Sequence, residues 1–153
     1  NSDTKNTEAY SLVKRGNELL AGSSRIENKK AKELFHKAIE LDPNYADAYY
    51  GLALGEYQLP YLSLKKPEES IPSAKNYLNK CIGLQRAKPT QRALCKIELG
   101  DIYVVEDEVW EAVLLYGQVN QDFKEDEIGH VAKLKSAKAS LYAFFHILEL
   151  PSV

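Results

Sequence analysis

Three histidines, two cysteines and several runs of carboxylates are the side chains in this 153-residue chain that could carry metal, nucleophilic or acid–base chemistry. Ligating histidines and cysteines must recur at spacings that converge their donor atoms, as in HExxH or CxxC. His36, His130 and His146 fall on separate predicted helices with no partner at such a spacing, and His36 lies on the polar side of its helix beside Lys37. The chain has no GxGxxG or GxxxxGK[ST] loop to cradle a phosphate, and no GxSxG elbow to expose a nucleophilic serine. Neither cysteine has a histidine nearby in sequence to activate it. The acidic runs Glu68-Glu69, Glu106-Asp107-Glu108 and Glu125-Asp126-Glu127 sit at predicted helix starts. There they complement the helix dipole and cap free amides, which accounts for them without acid–base work. These residues predict no catalysis, no metal and no cofactor.

Cys81 and Cys95 fall on successive predicted helices with Pro89 between them. Two readings stand open: a disulfide, or burial as two small hydrophobes, which is the simpler of the two.

Hydrophobic residues make up 44% of the chain and charged residues 27%, the balance of a globular protein rather than a disordered or fibrous one. Twenty basic residues against 22 acidic ones leave a formal charge of −2. With no basic excess to neutralise a phosphate backbone, nucleic acid is not an expected partner. The chain has no Met, which predicts a processed form or a piece of something longer. No signal segment opens it, since residues 1–7 are polar throughout. The apolar-leaning stretch 140–153 is interrupted by His146, Glu149 and Pro151, and is too short and polar to span a bilayer.

The elements that must position any site are helices. Ala31, Leu34, Phe35, Ala38, Ile39 and Leu41 recur at spacings of three and four, one apolar stripe of an amphipathic helix. Asp42-Pro43-Asn44 stops it, because proline disfavours helical geometry in the residue before it. Ala46, Tyr49, Leu52, Ala53 and Tyr57 then run in phase on a second helix. Continued along the chain, the pattern predicts seven helices, near 7–21, 28–42, 45–58, 69–84, 90–105, 108–122 and 127–147. Every proline before Pro151 is read as lying at or between helix boundaries. A short helix pair leaves one face unburied and needs neighbours, so copies are expected.

The copies resemble the tetratricopeptide (TPR) family, whose repeat is a helix-turn-helix. Small Ala31, aromatic Phe35, small Ala38 and turn Pro43 match its second-helix pattern, and Leu99-Gly100-Asp101-Ile102-Tyr103 with Ala112, Tyr116 and Val119 matches again. Ala74, Leu78 and Cys81 occupy the equivalent places of a middle copy, after an insertion over 59–69. The first copy's opening helix has Gly16 near the family's glycine position, with a GSSRIEN excess before Lys29. Segments around residues 7–16, 39–46 and 122–138 look similar to TPR regions of bacterial signalling, regulatory and cell-envelope proteins. The resemblance implies an all-α, right-handed superhelical solenoid of antiparallel helix pairs. It would form a single TPR-like domain over 1–153, with repeats at 7–43, 44–86 and 90–124 and a terminal helix at 127–147. The expected setting is the cytoplasm or cell envelope of a bacterium.

In such a domain the first helix of each repeat lines the concave face. The ligand-facing positions become Tyr10, Val13 and Asn17, then Asp47, Tyr50, Leu54 and Tyr57, then Leu94, Ile97, Asp101 and Val104. The carboxylate-holding clamp of some TPR domains is missing: Val13, Gly51, Leu94 and Glu98 stand where it needs Lys, Asn, Lys and Arg. The implied function is a protein–protein interaction scaffold gripping a peptide or protein segment, with carboxylates scattered among Tyr and aliphatic groups. Self-assembly through an apolar final helix (Leu141, Phe144, Phe145, Ile147, Leu148) is the alternative, as is a regulatory segment of a larger bacterial signalling enzyme or transcription regulator. About two-thirds of the tyrosines are assigned to packing between repeats.

Overall fold

A computed structural model describes residues 5–149, with no side-chain description for 147–149. Among the described residues there are seven α-helices and no strand: α1 (Thr7–Ala21), α2 (Arg25–Leu41), α3 (Ala46–Gln58), α4 (Pro67–Gly83), α5 (Pro89–Val105), α6 (Val109–Asp122) and α7 (Glu127–Glu149). The number of helices and their order follow the apolar periodicity.

Three details depart from expectation. α2 begins at Arg25 rather than near 28 because the Ser24 hydroxyl accepts from the Glu27 amide at 3.2 Å. That cap turns the apparent excess before Lys29 into the first turn of the helix. Pro72 lies inside α4 rather than at a boundary, and Pro67 opens that helix. Two of the acidic runs do not cap the helices they precede: α4 and α6 have no side-chain cap hydrogen bond, although Glu68 and Glu69 occupy the first turn of α4.

The chain divides into two compact units, Asn1–Cys95 and Lys96–Val153, with the boundary inside α5. In the first unit α1 packs on α2 and α3 on α4, while α3 also meets α2 and α1. Its core is a cluster of small and large apolar residues, including Ala9, Val13, Ala31, Ala38, Tyr45 and Leu52 around Phe35. Phe35 is fully buried between two glycines. A β-carbon at Gly16 of α1 would lie 2.6 Å from Phe35 Cε1, and one at Gly51 of α3 would lie 2.5 Å from the same atom. Glycine at both places lets α1 and α3 close on one ring, where any side chain would hold the backbones apart.

Cys81 of α4 and Cys95 of α5 form a disulfide, with Cα atoms 6.4 Å apart. The simpler reading of two buried thiols is thereby corrected. Successive helices joined by the short turn over 84–88, with Pro89 opening α5, bring the two cysteines together, a consequence of topology that spacing alone leaves open.

In the second unit α6 packs on α7. Gly100, on the α5 residues of this unit, faces Tyr116 of α6 as Gly16 faces Phe35: a β-carbon there would lie 2.6 Å from Tyr116 Cε1. No described helix is long and apolar enough to cross a membrane. The expected exposure of Ile147 and Leu148 concerns side chains outside the described ones, and Pro151 also lies outside.

Candidate functional site

The residue pattern of α3 explains how a groove arises. Ala46, Ala48, Gly51, Leu52, Ala53, Gly55 and Glu56 are all buried, so small residues surround the helix on most sides and its neighbours come close. Tyr50, Leu54 and Tyr57, spaced four and three apart, form a half-buried line along the remaining face. On α1 the stripe Ala9, Val13, Gly16 and Leu20 is buried, and Asn17 stands one position beyond it, exposed. The two helices leave a cavity of about 450 Å³ walled by Asn17, Leu20, Tyr50, Leu54, Tyr57 and Gln58, among others.

The Gln58 side-chain amide donates to the Leu20 carbonyl at 3.3 Å and fixes the C-terminal end of α3 against that of α1. Tyr57 meets Tyr61 edge-on, with ring centroids 5.9 Å apart. The groove wall carries no charged side chain. It is therefore built for apolar and neutral polar groups, with tyrosines that offer large contact area at low entropic cost.

Four of the expected groove residues (Asn17, Tyr50, Leu54 and Tyr57) share this wall. The others do not. Tyr10 is exposed on α1 and Asp47 half-buried on α3, both outside the wall. Val13 is a core residue, because a position in phase with Ala9 and Gly16 must face α2. Leu94, in the first unit, is 40% exposed, whereas Ile97, in the second, is only 8% exposed and presents little to a ligand.

Asp101 and Val104 line a different cavity, of about 360 Å³, within the second unit. There Asp101 is taken up by internal contacts rather than held out for a ligand. The Tyr116 hydroxyl donates to Asp101 Oδ1 at 2.6 Å, and Lys135 Nζ donates to both carboxylate oxygens at 2.7 and 2.6 Å. Burial raises the Tyr116 pKa above the ordinary phenol value, helped by the bond to Asp101 and the nearby negative charges of Asp101 and Glu98. Burial also raises the Glu98 pKa; the Asp101 charge adds to the shift and Lys135 opposes it. This network clamps α5, α6 and α7 residues together within the unit.

Among the described residues no three His, Cys, Asp or Glu side chains gather as metal ligands would. His36 is exposed, with its ring 6.4 Å from that of Tyr77, and His146 shares a 2.9 Å hydrogen bond with Tyr142.

No family model and no curated protein matches this sequence.

One further cavity escaped the sequence reading. It measures about 850 Å³ and lies between the first turns of α2 and the segment that follows α3, with Leu59, Leu64 and Lys65 on the far side. Its only trace in the sequence is the basic run Lys29-Lys30 with Lys32, and Lys65-Lys66 more than thirty residues away.

Proposed function

We propose that this chain is a tetratricopeptide-type helical repeat that works as a protein-interaction module, holding an extended, largely apolar segment of another protein in the α1–α3 groove. The observation that carries this reading is the shared wall of Asn17, Tyr50, Leu54 and Tyr57. Two features support the repeat. Helices pair α1 with α2 and α3 with α4 while α1 also meets α3, and a glycine against an aromatic ring recurs as Gly16–Phe35 and Gly100–Tyr116. The groove acts through shape and contact area; the exposed Asn17 is placed to meet a peptide amide, and no bond is made or broken. A disulfide persists where thiols are oxidised, so Cys81–Cys95 favours a working place outside the reducing cytoplasm.

The test is selection from a displayed peptide library on the immobilised protein, followed by resonance mapping of the winning peptide. Shifts concentrated on 17–20 and 50–58 support the groove, and shifts elsewhere in the chain refute it.

A second reading, self-association, rests on α7, where Leu141, Phe144 and Phe145 are each more than half exposed. An exposed apolar patch of this kind marks an interaction surface, which a second copy of the chain would cover.

A further inference from the structure

We propose that the 850 Å³ cavity beside α2 is a second peptide site, independent of the α1–α3 groove, which takes an acidic segment carrying a bulky apolar residue. Three separate demands of its wall lead there. The first is charge. Arg25, Lys29, Lys30, Lys32 and Lys65 line the cavity, against one lining carboxylate, Glu33. Lys32 and Lys65 are already engaged, since both hold the buried carboxylate of Glu56, Lys65 at 3.5 Å. Arg25, Lys29 and Lys30 have no ion-pair partner among the described residues, so the mouth of the cavity keeps unneutralised positive charge.

The second demand is a hydrogen-bond donor. Asn28 stands in the wall and is 1% exposed. Its Nδ2 donates to the Gly55 carbonyl at 3.0 Å and to Gln58 Oε1 at 3.2 Å, while its Oδ1 is buried and receives nothing. A buried acceptor with no donor is costly, and an incoming N–H removes that cost. The third demand is apolar cover. Ile26 and Leu64 are both exposed at this cavity, beside the buried Leu59, and gain from being covered.

Phosphate or sulfate would answer the cations but brings acceptors, leaving Asn28 Oδ1 unmet and Ile26 and Leu64 bare. A polypeptide with Asp or Glu next to Leu or Phe supplies all three: carboxylates for Arg25, Lys29 and Lys30, a backbone N–H for Asn28, and a side chain for Ile26 and Leu64. The volume lies within the range of sites that bury a small ligand or a peptide anchor.

The experiment is a resonance titration of the full chain with a capped hexapeptide in which four acidic residues flank Leu-Phe. Its Gln/Asn counterpart, inorganic phosphate and a short oligo(dT) serve as competing probes. The expected result is shifts at the 25–32 backbone amides and at the Asn28 side-chain amide, with at least tenfold weaker binding of the neutral peptide. The variant Lys29→Glu/Lys30→Glu, at exposed positions that leave the fold intact by circular dichroism, weakens the acidic peptide at least tenfold. Tyr50→Ala/Tyr57→Ala leaves that binding unchanged, which separates this site from the groove. The proposal is overturned if phosphate or oligo(dT) reproduces the same shifts, if the Asn28 side-chain amide stays still, if the shifts fall in the α1–α3 groove, or if the charge-reversed variant binds as the parent does.

Discussion

Replacing Gly51 by Ala sets two effects of known sign against each other. In a helix interior, Ala is favoured over Gly by about 1 kcal/mol, because glycine loses more backbone freedom on folding. At Gly51, however, the new β-carbon would stand 2.5 Å from both Cε1 and Cζ of Phe35. Carbon atoms rest about 3.5–4.0 Å apart, so the ring must retreat by roughly 1 Å or more. It has little room, because Phe35 is fully buried and its other side presses on Gly16. Overpacking of this kind costs about 1–3 kcal/mol, which exceeds the propensity gain and leaves Gly51→Ala destabilising by about 1 kcal/mol. Gly117 of α6 supplies the control, since it is exposed and a β-carbon there meets nothing within 4 Å. Gly117→Ala should therefore stabilise by about 1 kcal/mol. Urea unfolding followed by circular dichroism reads both signs. In a chain of this length each kcal/mol moves the thermal midpoint by roughly 2–4 °C. Adding Phe35→Leu to Gly51→Ala should cost less than the two single changes summed, because the smaller side chain frees the space. Equal stabilisation by Ala at both glycines would refute the clamp around Phe35.

Three other outcomes follow from the structure. Reducing Cys81–Cys95, which closes a short loop of sequence separation 14, should cost about 3 kcal/mol, measured by denaturation with and without reductant. Tyr116 has a raised folded-state pKa, so its contribution is fully present below the unfolded phenol value of about 10 and is lost as pH rises above it. Thermal midpoints should fall on the alkaline side more steeply for the parent than for Tyr116→Phe, and parallel curves would remove Asp101 and Tyr116 from the account. Light scattering over a range of concentrations should show a larger species that Leu141→Ser/Phe145→Ser returns to the monomer mass; a monomer at every concentration dismisses the self-association reading.

The helices were legible because their signals are local. Apolar spacing and Pro43 bound α2 and α3, and Gly16, Phe35, Gly100 and Tyr116 stand out as repeat positions, although that each glycine faces a ring is seen only in the structure. What escaped depends on distance in space. Ser24 extends α2 through a single capping bond that no apolar stripe reveals. The pairing of Cys81 with Cys95 follows from how α4 and α5 turn about Pro89, and Val13 goes to the core because helix phase outweighs its place in a ligand-facing pattern. Of the expected groove, only Asn17, Tyr50, Leu54 and Tyr57 share one wall, whereas Asp101 belongs to an ion-paired cluster with Lys135. The basic cavity joins residues 25–36 to 59–65, a meeting that neither segment announces alone. Of the tyrosines, Tyr45 and Tyr116 are fully buried, while Tyr10, Tyr61 and Tyr142 are exposed.

The claim that the α1–α3 groove holds a protein segment is tested most directly by the affinity of a library-selected peptide for the parent and for Tyr50→Ala/Tyr57→Ala, measured by fluorescence anisotropy. Removing two aromatic anchors from a groove that does the binding should cost about 2 kcal/mol or more, roughly a thirtyfold rise in Kd. Tyr50→Phe/Tyr57→Phe, which keeps the rings, should retain most of the affinity. If the peptide binds the alanine variant as tightly as the parent, while that variant keeps its helical spectrum, the groove is not the binding surface.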